Sequence, residues 1–213
     1  MGAFCLTRAE ALAIGSSSPS GAPSSSSSTG WRAKNASSAA CFPETGIGIY
    51  PGLGGTQRAP RRVGPGLAKW LIYTGQMLSA EEARAIGLVD AVVPFEELDA
   101  AVVEAMRAGK AERPALSAKH AALEAFFAVH AVDELLAGAS AEDEPVAKAS
   151  ARVKQKAPIA LRLAEQLIDL SGSKPLEDGL AEELRHLVEI FSTDDAKLGL
   201  STVGKRAPSF AGR

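Results

Sequence analysis

The chain has 213 residues, 46% of them hydrophobic, with 23 basic and 25 acidic side chains and a formal net charge of −2. That is enough apolar material for one ordinary folded core, and the near-neutral charge provides no polybasic face for nucleic acid. No apolar run reaches the length of a membrane span, and Cys5 and Cys41 offer neither a disulfide framework nor metal-ligand spacing.

At the N-terminus, Arg8 and Glu10 interrupt the apolar residues, so residues 1–14 are too mixed for a signal peptide and the expected compartment is cytoplasmic. Residues 16–28 form a Ser/Pro/Gly tract that ends in Ser24 to Ser28. Such a composition has almost no apolar surface with which to offset the entropy of ordering, and it is expected to be disordered. At Phe42 the character changes abruptly to a patterned sequence. Residues 1–41 are therefore set apart as a low-complexity segment.

The segment from Pro43 to Arg58 reads Pro-Glu-Thr-Gly-Ile-Gly-Ile-Tyr-Pro-Gly-Leu-Gly-Gly-Thr-Gln-Arg. Pro43 favours an extended entry, and Ile47, Ile49 and Tyr50 suit a short buried strand. Gly52, Gly54 and Gly55 permit a left-handed turn and close backbone approach. Thr56 is a candidate N-cap for the helix that follows, and a glycine turn entering a helix can present N–H groups to an anion. Further on, Ser79 and Glu82 form a capping box ahead of Ala83 and Ile86, Gly87 suits the position just past that helix, and residues 88–93 read as a short extended segment.

The remainder is helical in pattern. Residues 96–107 carry a stripe of Leu98, Val102, Val103 and Met106, and residues 117–136 read as one long helix or a helical pair. A break at 138–144 precedes helices at 145–156, 159–170 and 176–191. In the last of these, Leu180, Leu184, Leu187, Val188 and Phe191 form a stripe expected to be core or subunit contact. Glu183 and His186 make an isolated E-x-x-H pair with no matching carboxylate helices, and His120 and His130 have no neighbours at ligand spacing, so no metal site is expected.

The Pro43–Arg58 string resembles the signature of the crotonase superfamily, the enoyl-CoA hydratases and isomerases, roughly PE-x-x-x-G-x-x-P-G-x-G-G-T-Q-R. The likeness continues through Arg61 to Gly64, Leu71 to Gly75, Ala80 to Ala83, Gly87 to Val89 and Val92 to Pro94. It closes on Phe191 to Ala196 and Lys205 to Phe210. Leu198-Gly199 and Val203 depart from the family's usual Glu-Gly and Phe. The resemblance spans 42–213, with the stretch at 119–150 matching only in helical character.

It implies an α/β fold with a crotonase-like (ClpP/crotonase) spiral core, incomplete at its N-terminus. Residues 42–94 would be the remainder of that core and 95–213 a C-terminal helical region. The implied activity is hydration or double-bond isomerisation of an enoyl-CoA, with a coenzyme A thioester as substrate and no metal or redox cofactor. The implied assembly is a homotrimer or hexamer, with neither nucleic acid nor membrane as partner. Glu44 would be the acid/base at the substrate carbons; Pro51, Gly52 and Leu53 would line the acyl pocket. Lys205 and Arg206 would neutralise a CoA phosphate, or equally form a solvated basic helix end. The family's Gly-Gly-Gly-x-Glu turn, which supplies a second carboxylate and an oxyanion-hole N–H, matches no residues here. Residues 1–41 are then either a genuine extension or upstream sequence read in a wrong frame or from a wrong start; the second is favoured, because the family landmarks begin in mid-domain. A catalytically inactive module that binds acyl-CoA or drives oligomerisation is the alternative.

Overall fold

The computed structural model describes residues 3–6, 41–108, 112–205 and 208–213. Its elements are β1 (Ala3–Leu6), a 3-10 helix (Glu44–Ile47), α1 (Gly55–Val63), α2 (Pro65–Thr74), α3 (Ala80–Ala85) and β2 (Ala91–Pro94). A second 3-10 turn (Phe95–Glu97), α4 (Leu98–Ala108), α5 (Ala118–Val129), α6 (Val132–Ala137) and α7 (Glu144–Val153) follow. The chain finishes with α8 (Pro158–Leu170), α9 (Leu176–Arg185), α10 (Leu187–Ser192) and α11 (Asp194–Ser201). The expectation of disorder at 16–28 concerns residues outside those described.

Two units are distinguished, one of Met1–Ala40 with Met77–Ala115 and one of Cys41–Gln76 with Leu116–Arg213. In the first, β1 pairs antiparallel with β2, Ala3 opposite Pro94 and Leu6 opposite Ala91. Ser79 caps α3 by accepting from the Glu82 N–H at 3.1 Å. Gly87 ends it in a left-handed conformation, with Gly87 N bonded to Arg84 O and Leu88 N to Ala83 O. This is the reciprocal C-terminal closure that glycine makes easy. The stripe on α4 is not covered, since none of its residues is buried and Met106 is 51% exposed.

The second unit is organised around α2, every residue of which from Gly66 to Thr74 is buried. A helix apolar on all sides needs neighbours on all sides, and α1, α5, α7 and α8 supply them. Its approach to α5 is backbone on backbone: a Cβ on Gly66 would stand 2.0 Å from the Glu124 carbonyl oxygen. The buried Lys69 is neutralised by Asp169 at 2.9 Å and Glu165 at 3.8 Å, both on α8. One face of α8 (Ala160, Leu161, Leu163, Ala164, Leu167 and Ile168) completes this core.

Two helical expectations are refined. The 117–136 segment is a pair, broken at His130–Ala131, and the 176–191 segment is also a pair, broken at His186. Of the two expectations for the apolar stripe of the latter, core or subunit contact, the packing of this chain does not give the first. Gly179, Glu183 and Ile190 are buried, while Leu184, Val188 and Phe191 are 67%, 79% and 46% exposed. The buried face is turned because Gly179 packs on Gln57, whose Oε1 would lie 2.0 Å from an added Cβ, and because Glu183 is drawn to the start of α1.

Candidate functional site

Residues 44–50 do not form the expected strand. Gly46 N bonds to Pro43 O at 2.9 Å and Ile49 N to Glu44 O at 3.1 Å, winding Glu44–Ile47 into a 3-10 turn. Gly48 closes it at φ 86°. Tertiary packing decides this over the strand propensity of the isoleucines. A Cβ on Gly48 would meet Asp195 O at 2.5 Å, and one on Gly199 would meet Ile47 O at 2.2 Å, so α11 lies directly on the turn's main chain. Thr45, fully buried, is held from two sides: its hydroxyl donates to Ile72 O at 2.8 Å and its carbonyl accepts from Ala157 N at 3.1 Å. Asp195 in turn clasps the chain's last residues, its carboxylate accepting from Ala211 N and Gly212 N at 2.8 Å each and its N–H donating to Arg213 O at 3.1 Å.

This scaffold fixes Glu44. The carboxyl is half-buried, and its Oε2 is buried with no hydrogen-bond partner. Burial pushes its pKa up, outweighing the lowering effect of a backbone hydrogen bond. The nearby Cys41 thiol is raised as well, first by burial and then by the Glu44 charge. A desolvated carboxyl with an unused oxygen is suited to taking a proton from carbon and returning it.

The glycine turn follows. Pro51 is buried, Gly52 is exposed, and Leu53 is 99% exposed at φ 56°, the one positive-φ residue other than glycine among those described. Its carbonyl accepts from the Arg58 guanidinium. The N-cap of α1 is Gly54, at φ 88°, and not Thr56. The anion that this helix start receives is the chain's own. Glu183 accepts from Gly54 N at 2.7 Å through Oε1 and from the Thr56 hydroxyl at 2.6 Å through Oε2. The Tyr50 hydroxyl donates to the Glu183 carbonyl at 2.5 Å, and burial followed by the charges of Glu183 and Glu189 pushes its pKa up to about 12. Gln57 reaches Leu167 O at 2.6 Å and Arg61 reaches Lys174 O at 2.7 Å, tying α1 to the C-terminal helices.

The sequence reading thus places Glu44 and the 51–53 turn on one segment, and the structure keeps them there. Lys205 stands apart at the end of α11, exposed, with Nζ donating to Ser201 O at 3.2 Å. Arg206 lies outside the described residues. His120 is buried beside Trp70 and bonded to Ser117, and His130 stacks on Phe126. No cluster of three or more metal-ligating side chains occurs among the described residues. Glu183 is the residue whose role the sequence did not disclose. The available signal was its place between Leu180 and Leu187 at helical spacing, where an acid on a covered face requires partners.

Residues 32–143, just over half the chain, match the family model described as enoyl-CoA hydratase/isomerase. Over 56 residues the chain is 62% identical to a crotonyl-CoA hydratase of Syntrophomonas wolfei, covering 26% of this chain and 22% of that one. Over 155 residues it is 34% identical to a short-chain-enoyl-CoA hydratase of Clostridium acetobutylicum, covering 73% of this chain and 42% of that protein. In fold it is similar to a carnitinyl-CoA dehydratase from Mycobacterium thermoresistibile, with a TM-score of 0.59 at 24% identity over 80% of this chain and 53% of that one. The chain spans about half the length, or less, of the relatives it matches.

Proposed function

The chain belongs to the enoyl-CoA hydratase/isomerase family, and on that premise we propose that it acts on acyl-CoA thioesters, by hydration or double-bond isomerisation of an enoyl-CoA. The observation that carries this is Glu44, held on a rigid turn with a desolvated carboxyl and one buried oxygen without a partner. In hydration, a carboxyl here delivers a proton to the carbon next to the thioester carbonyl, or removes it in the reverse direction, while water adds at the neighbouring carbon. In isomerisation the same carboxylate takes a proton from one carbon and returns it to another. The names of the relatives favour hydration of short acyl groups. Pro51, Gly52 and Leu53 serve as the acyl wall in this reading, with Leu53 presented bare for that purpose. Lys205 and Arg206 are candidates for a CoA phosphate, and no cofactor beyond the thioester is needed.

Assembly as a trimer or hexamer in the cytoplasm completes the proposal. The exposed Leu184, Val188 and Phe191 support the assembly, and no helix among the described residues is long and apolar enough to cross a membrane. The same exposed stripe favours a second reading, an acyl-CoA binding or oligomerising module without turnover.

Crotonyl-CoA hydration and 3-enoyl-CoA isomerisation assays separate the two. Turnover by this chain alone is expected to be weak, because no residues here match the family's oxyanion donors and each such donor is worth about 10²–10³ in rate. Glu44→Gln should remove about 10²–10⁴ of whatever turnover is present. Turnover unaffected by that change takes Glu44 out of the mechanism. Calorimetric binding of acyl-CoA with no turnover selects the second reading.

A further inference from the structure

Lys156 lies in the turn between α7 and α8, and its side chain reaches the Glu44 segment. The Nζ is 3.2 Å from where a Cβ would stand on Gly46 and 3.2 Å from where one would stand on Gly75. The Gly75 position is also 3.5 Å from the Phe42 carbonyl oxygen. The ammonium therefore occupies a corner that exists because two residues lack side chains. Arg152, on the last turn of α7, donates to the Gln76 side-chain oxygen, next along the chain from Gly75. Two cationic heads thus reach one corner.

No carboxylate among the described residues pairs with them there. Among the described residues Lys156 has no ion pair and no side-chain hydrogen bond, and the partner of Arg152 is a neutral amide. Burial, and then the charge of Arg152, lowers the Lys156 pKa, with no acid offsetting them. Glu44, two residues before Gly46, keeps a buried oxygen without a hydrogen-bond partner, and no ion pair joins it to Lys156 among the described residues. Lys69 provides the internal contrast: once buried, it is matched by Asp169 and Glu165. Holding the half-buried Lys156 ammonium near the exposed Arg152 guanidinium without a counter-charge is unfavourable, and an ammonium beside a guanidinium suits oxygen anions.

We propose that Lys156 and Arg152, at the corner formed by Gly46, Gly75 and Gln76, bind an oxyanion, a carboxylate or a phosphate, carried by a ligand of this chain. One source is a carboxylate on the acyl group of a thioester; the other is phosphate, free or on coenzyme A. The corner belongs to the segment that carries Glu44, and the pantetheine arm holds the CoA phosphates far from the reacting carbons, which favours the acyl carboxylate. That choice of source rests on the acyl-CoA reading above; the site itself does not.

The test is calorimetric binding of inorganic phosphate, succinyl-CoA and butyryl-CoA to the full chain, to Lys156→Met and to Lys156→Arg. Succinyl-CoA should bind about tenfold more tightly than butyryl-CoA. Lys156→Met should abolish the difference and Lys156→Arg should keep it. Equal affinity for the two thioesters, with both weakened by Lys156→Met, assigns the anion to the CoA phosphates. Lys156-dependent phosphate binding with neither thioester bound keeps the site and refutes the acyl-CoA reading. Affinities for all three probes that are indifferent to Lys156→Met, or no binding of any of them, overturn the proposal. Circular dichroism checks that this variant folds; should it not, Arg152→Gln, on the exposed end of α7, is read by the same criteria.

Discussion

Glu44 and Glu183 are both carboxylates drawn out of water, and they are treated in opposite ways. Glu183 is 4% exposed and saturated, with one oxygen on a backbone N–H and the other on a hydroxyl. Glu44 is half-buried and has an oxygen left without a partner. Hydrogen bonds to both oxygens make a carboxylate into structure, fixing its geometry. Lack of partners raises the energy of the charged form and leaves an oxygen free for a proton. On the proposed reading the two residues divide the work of one loop: Glu183 holds the start of α1 after the 51–54 turn, and Glu44 is the acid/base beside it.

The largest expected effect tests the structural member. Glu183→Ala leaves Gly54 N and the Thr56 hydroxyl buried without acceptors and should destabilise the fold by about 3 kcal/mol in urea denaturation. Glu183→Gln keeps one acceptor and should lose about half of that. A loss well under 1 kcal/mol for the alanine variant would erase the distinction between the two acids. Next comes the support of Glu44. Gly48→Ala places a Cβ 2.5 Å from Asp195 O at a backbone φ of 86°, with main chain on both sides, and should destabilise by about 2 kcal/mol. A neutral result there would mean that α11 does not lie on the turn. Asp195→Asn, which weakens the hold on Ala211 and Gly212, should lower stability by about 1 kcal/mol and speed exchange of those two amides.

The smallest effect has the most informative sign. Burial raises the pKa of Glu44 above its ordinary value of 4.5. The folded state then holds this proton more tightly than the unfolded one. The resulting stabilisation is complete below about 4.5 and is lost as pH rises through the folded value. Glu44→Gln should therefore match the wild type in acid and become the more stable protein as pH rises through that window. A Glu44→Gln difference that stays flat or reverses with rising pH, read from urea midpoints between about pH 4 and 7, counts against a desolvated Glu44.

Much of this was legible in the chain. The Pro43–Arg58 string and the landmarks after it identified the family, and the Ser79 cap, the Gly87 closure and the break at 138–144 lie where local chemistry put them. The errors share a cause. Ile47, Ile49 and Tyr50 carry strand propensity, but Gly46, Gly48 and the approach of α11 wind the chain through Ile47 into a turn and leave no strand after it. Thr56 resembles a cap, yet Gly54 takes that place because a carboxylate more than a hundred residues away replaces the local hydroxyl. The choice left open for the apolar stripe on 180–191, core or subunit contact, also turns on distant partners, since the buried line runs through Gly179, Glu183 and Ile190. Local pattern does not encode partners at long range, and each of these outcomes is set by one.

The grip of Asp195 on the final residues has a consequence for how the sequence can drift. What the aspartate reads is main-chain N–H, so the side chain at Ala211 is left open to exchange for almost any other. Proline alone is barred there, for want of the donor. At Gly212 the tolerance is narrower, because its φ of 72° disfavours every residue with a Cβ. Two neighbours bound by the same carboxylate are thus under different constraint, one by the absence of a single amino acid and the other by the presence of one.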